Sequence, residues 1–98
     1  MKIQKDIDWF KKEVEPLLQK YEVKYRYYDQ GDFGSLNQAS FEAKDKGGQI
    51  DYWGLGWLGI FLWDYVEAVI LINILLSPDE MHNVNEHLDN LVVLLTFP

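Results

Sequence analysis

A chain of 98 residues, 48% hydrophobic and 26% charged, is long enough to fold as one compact domain spanning residues 1–98 and to hide roughly 60–65% of its unfolded surface without cross-links. It has no Cys, which excludes a disulfide framework and a thiolate metal site and fits a reducing, cytoplasmic setting. All nine Lys and Arg fall within residues 1–46, so the net charge of −7 belongs to residues 47–98, which carry acids and no fixed cation.

A surface without fixed cations is a poor cradle for phosphate, which argues against nucleic acid as a partner. The first residues, MKIQKDIDWFKK, lack the apolar core and small-residue cleavage site of a signal peptide. The most apolar stretch, from Gln49 to Leu76, is interrupted by Asp64 and Glu67. Its uncharged runs are shorter than the ~20 residues needed to cross a bilayer, so no membrane partner is expected.

In chain order, Ile3, Ile7, Phe10, Val14, Leu17, Leu18 and Tyr21 recur at helical spacing, with Asp6 placed as N-cap. Pro16 falls inside this helix and predicts a bend near Glu15. Trp9 lies off the main stripe and is expected to pack on its flank. From Glu22 the period changes to two: Val23, Tyr25 and Tyr27 alternate with Lys24, Arg26 and Tyr28, the mark of a strand with one wet face. Asp29 to Ser35 reads as a loop. Ala39, Phe41 and Ala43 mark a second strand, and Asp45-Lys46-Gly47-Gly48 a hairpin turn into a third strand, Gln49 to Trp53.

Gly54-Leu55-Gly56-Trp57-Leu58-Gly59 matches G-x-G-x-x-G by letter. A dinucleotide fingerprint requires a helix opening at these glycines, and a kinase glycine loop requires a strand lysine beyond it. The residues that follow read as strand, and no Lys or Arg occurs after Lys46. The glycines are therefore expected to serve a hairpin turn, and no cofactor is expected.

The fourth strand, Trp57 to Tyr65, has Leu58, Ile60, Leu62 and Asp64 on one face and Trp57, Phe61, Trp63 and Tyr65 on the other. Both faces are apolar, so the strand is either covered on both sides or offers its aromatic face for docking. Val66 to Leu76 is apolar all round. Asp64-x-x-Glu67 resembles a capping box and favours a buried helix here, with a central fifth strand as the alternative. Asn73 would then need a buried partner. Ser77-Pro78-Asp79-Glu80 opens a final helix whose buried stripe is Met81, Val84, Leu88, Leu91, Val92 and Leu95, with Pro98 at its end.

Chemistry-bearing residues do not form a recognisable set. His82, Glu86 and Asp89 share the wet face of the last helix, and His87 points elsewhere. Ser35 and Ser40 lack the setting of a nucleophile elbow, and Asp29 and Asp32 lie in a loop. Neither a catalytic residue nor a metal site is expected.

The fold expected is α+β: an N-terminal helix, a four-stranded antiparallel meander, and one or two C-terminal helices packed on the sheet. The function expected is a non-enzymatic, acidic, cytoplasmic interaction domain, of the kind that an immunity-type inhibitor of a basic protein would be. It would bind a protein partner, or a second copy as a homodimer, through Trp57, Phe61, Trp63 and Tyr65 with Asp64 and Glu67. The alternatives are a module that stacks a sugar or aromatic ligand on those rings, and a protein with no activity of its own.

Overall fold

The computed structural model describes residues 5–97; Ile3 of the first apolar stripe and Pro98 lie outside them. Its centre is an antiparallel meander of five strands in the spatial order of the sequence: β1 (Glu22–Gly31), β2 (Gly34–Glu42), β3 (Lys46–Trp53), β4 (Leu58–Asp64) and β5 (Val69–Leu76). A helical segment precedes the sheet and a 3₁₀ turn (Pro78–Asn83) leads into a final helix, which we call α2 (Val84–Thr96). The architecture is α+β as expected, with five strands where the sequence predicts four.

The N-terminal segment begins as a short α-turn, α1 (Ile7–Trp9), whose N-cap Asp6 accepts from Trp9 N at 3.0 Å. It widens into a π-turn (Phe10–Val14) and tightens into a 3₁₀ turn (Glu15–Leu17). Pro16 is the cause. It has no N–H to offer the Lys12 carbonyl, so the regular winding cannot continue past it, and just before it Glu15 N donates to Phe10 O. Phe10, Val14 and Leu18 still fall on one side and are buried.

Strand register decides which side chains meet the helices. Ala39 faces Ile50, Ile50 faces Ile60, and Ile60 faces Ile74 in successive pairs, so these residues share one face of the sheet. That face, with Phe41, Tyr52, Leu58, Leu62 and Ile72, joins Phe10, Val14, Leu18, Leu88, Leu91 and Leu95 in a single buried cluster. Each large side chain removed from water there contributes about 1.5–3 kcal/mol. Polar groups lock the layers. Tyr21 Oη donates to Leu95 O at 2.9 Å and Lys46 Nζ to Leu94 O at 2.8 Å, satisfying last-turn carbonyls of α2. Tyr52 Oη donates to Lys5 O at 2.7 Å, and Lys5 pairs with Asp89 of α2 at 2.6 Å. Lys5 also lies 5.5 Å from the ring centroid of Trp9, which is half-buried on the flank of its helix.

Four local expectations need correction. The segment after Asp64 is not a helix and not a central strand: β5 is an edge of the sheet. Asp64 Oδ1 does accept from Val66 N at 2.9 Å and Glu67 N at 3.0 Å, but the bonds close a turn that ends with Ala68 at φ 55°. A side-chain oxygen bonding the next two or three amides serves a turn as well as a helix start, so the local signal was shared. The β-branched residues beyond it then pair with β4. Asn73 is exposed rather than buried.

The second correction concerns the first loop, which shrinks to a turn at Asp32-Phe33 because Asp29 to Gly31 continue β1. Third, the hairpin before β3 turns at Ala43 to Asp45, and Gly47 and Gly48 are strand residues. A Cβ on Gly48 would collide with the Phe61 carbonyl oxygen, so glycine there permits close approach of β4. Fourth, β4 ends at Asp64 and starts at Leu58, which leaves Trp57 in the preceding turn, where Gly56 takes φ 95°. The capping box Ser77-Glu80 is present, although it opens the 3₁₀ turn and not α2 directly.

Candidate functional site

Both helical layers use one face of the sheet, so the other lies open. Its composition follows from register. One cross-strand row runs Glu22, Glu42, Gly47, Trp63; the next runs Lys24, Ser40, Gln49, Phe61, Asn73; a third runs Arg26, Gln38, Asp51, Gly59, Leu75. Cations therefore stand at the β1 side and aromatic rings at the β4 side, while Ser40 and Gly47 keep the middle low. The result is a trough of about 550 Å³ whose walls include Lys24, Arg26, Gln49, Phe61, Trp63 and Tyr65. A smaller hollow of about 340 Å³ continues past Asp51 and Gly59 towards Asn73 and Leu75 of β5.

Tyr65 closes one end. It follows β4, and its backbone N–H donates to Asp45 O at 2.9 Å, which turns the ring back over Gly47. Its hydroxyl donates to Glu42 Oε1 at 2.5 Å. That bond, with some desolvation and the carboxylate charge, raises the phenol above its ordinary value. On the opposite wall Lys24 pairs with Glu22 at 3.3 Å, whereas Arg26 forms no ion pair among the described residues. Asp51 is held in place by Gln38 at 2.8 Å and Gln49 at 3.2 Å. The trough thus offers a guanidinium with no ion pair among the described residues, oriented amides and ring surfaces, groups suited to holding a ligand or a partner's side chains.

The residues singled out from the sequence do not stay together. Phe61, Trp63 and Tyr65 meet in the trough. Trp57 lies at the other end of β4, roughly 20 Å away at the rise of a strand. It stacks on Phe33, with ring centroids 4.1 Å apart and planes at 11°, and Phe33 in turn meets Trp53 edge-on at 5.3 Å. Asp64 is committed to the turn, and Glu67 stands exposed within it. Sequence reasoning set Lys24 and Arg26 aside as an ordinary solvated strand face and passed over Gln49. The alternation in β1 signalled that Lys24 and Arg26 project together, but only the register across β2 and β3 puts them opposite Phe61 and Trp63.

Elsewhere, His82, Glu86 and Asp89 are exposed on the final helical segments, with Asp89 engaged by Lys5. Glu80 accepts from Ser77 N at 2.9 Å, which holds its carboxyl below the ordinary range. No helix among the described residues is long and apolar enough to cross a membrane. No protein-family model matches the chain, and no curated protein or solved structure is found to be similar to it.

Proposed function

We propose that the chain is a non-enzymatic interaction domain that grips a basic protein on the open face of its sheet, in the manner of an immunity-type inhibitor. The observation that carries this reading is the aromatic wall of Phe61, Trp63 and Tyr65 on a sheet face that neither helical layer covers. Rings of this kind anchor protein interfaces, because each removes a large apolar area from water at little cost in side-chain freedom. The net charge of −7 favours encounter with a basic partner. Glu67, Asp79 and Glu86 contribute to it without forming ion pairs among the described residues.

The test is affinity capture from the native cell with the wild type and with Trp63→Ala, each checked for folding. A basic protein retained by the wild type and lost by the folded variant supports the reading. Equal retention by both overturns it.

The trough itself favours a second reading, a module for a sugar or an aromatic compound. Its volume, about 550 Å³, falls within the ~300–1,000 Å³ usual for small-ligand sites. Thermal shift separates the two: a specific small ligand raises Tm with its concentration, and a panel of sugars and aromatic acids that leaves Tm unchanged removes this reading.

A further inference from the structure

The two edges of the sheet differ in a way that the open face does not explain. The β1 edge is charged, with Glu22, Lys24 and Arg26 along it, and the N-terminal segment leans on it: Tyr25 donates to Glu15 and lies under Lys11 at 4.9 Å. Charge and cover of this kind stop a sheet from extending. Among the described residues the β5 edge has neither. Val69 to Leu76, VILINILL, carries no charge and no proline. Ile70 and Leu75 are about half exposed, and among the described residues no loop or side chain hydrogen-bonds to the backbone of this strand outside its pairing with β4. Acids flank it at both ends, Glu67 before and Asp79 after, and both are exposed.

We propose that the free edge of β5 is a strand-pairing site for an extended apolar segment of a partner protein with basic flanks. Unused N–H and C=O groups supply the ladder, and alternate side chains of the added strand lie beside Ile70, Asn73 and Leu75, next to the aromatic wall. The flanking charges decide between occupants. A second copy of this chain, paired in either direction, would set acids against acids at both ends of the ladder, with −7 on each molecule. A segment bounded by Lys or Arg meets opposite charge at both. The inference rests on the reading that this protein binds a basic protein, and adds where and in what conformation the partner is held.

The test uses the full chain and a synthetic peptide of alternating valine and threonine with paired lysines at both ends, against the same peptide ended by paired glutamates. Amide hydrogen exchange is followed residue by residue, with the mass in solution measured in parallel. The expected result is a monomer whose outward β5 amides gain protection with the lysine-flanked peptide, which binds roughly tenfold tighter than its glutamate counterpart. In the folded double variant Glu67→Lys, Asp79→Lys that preference reverses. A dimer with β5 already protected, equal binding of the two peptides, or protection confined to β1 overturns the proposal. If Trp63→Ala loses the native partner while the peptide leaves β5 unprotected, the open-face reading stands and the edge reading falls. If β5 is protected while Trp63→Ala captures as the wild type does, the reverse holds.

Discussion

Tyr65 reaches back over Gly47 to donate its hydroxyl to Glu42, so a residue beyond the end of β4 is tied to the end of β2 across the intervening strand. The absent side chain at Gly47 is what gives the ring room. One face of the sheet therefore has a closed end, and the neighbouring glycine supports a different contact.

Alanine at these two glycines should separate the contacts. In Gly47→Ala the added methyl meets the far end of Tyr65, which can swing away; the cost is about 1 kcal/mol or less, and the Tyr65 phenol falls back towards its ordinary 10.0. In Gly48→Ala it meets the Phe61 carbonyl and Leu62 Cα, backbone that cannot move without opening the ladder, at about 1–3 kcal/mol. Urea unfolding of both variants checks the order; equal losses would refute it.

Trp57 and Trp63 should part company in the same way. Because Trp57 stacks on Phe33, a double-mutant cycle of Phe33→Ala and Trp57→Ala should show a coupling of about 0.5–1.5 kcal/mol. The same cycle between Phe33 and Trp63 should show none. Partner capture should depend on Trp63 and not on Trp57.

Alkali should unfold the chain through its tyrosines. Burial raises Tyr52, helped by the charge of Asp6; burial and the bond to Glu15 raise Tyr25; burial and Asp45 raise Tyr21. Each folded value lies above the ordinary 10.0, so the native state holds these protons more tightly. Their stabilisation is fully present below pH 10.0 and is lost as pH rises towards the folded values. The share of phenolate absorbance that belongs to Tyr21, Tyr25 and Tyr52, read as its loss in the Tyr→Phe variants, should thus appear together with loss of β-sheet signal. Gradual ionisation of Tyr52 in a sheet that stays intact would contradict this.

Acid acts at the start of the C-terminal helical region. The Glu80 carboxyl is held below its ordinary 4.5, chiefly by the Ser77 backbone N–H, so its stabilisation is present above pH 4.5 and fades as pH falls through the folded value. Glu80→Gln should lower Tm at neutral pH, and the gap between variant and wild type should close below pH 4.5. A gap independent of pH would show that the side chain acts by shape and not by charge.

Local periodicity by itself determined the two-faced β1, the buried stripe of Leu88, Leu91 and Leu95, the bend at Pro16, the capping box at Ser77 and the inward triplet Leu58, Ile60, Leu62. These depend on which residues are neighbours along a helix or strand, and that is written in spacing. The fate of Val69 to Leu76 was not, because a run that is apolar on every side has no period, and Asp64 bonds the same nearby amides in a turn as at a helix start. Nor could spacing bring Lys24 and Arg26 opposite Phe61 and Trp63 or send Trp57 to Phe33. Those meetings are set by strand order and register, which pairing across three hairpins decides and no single segment contains.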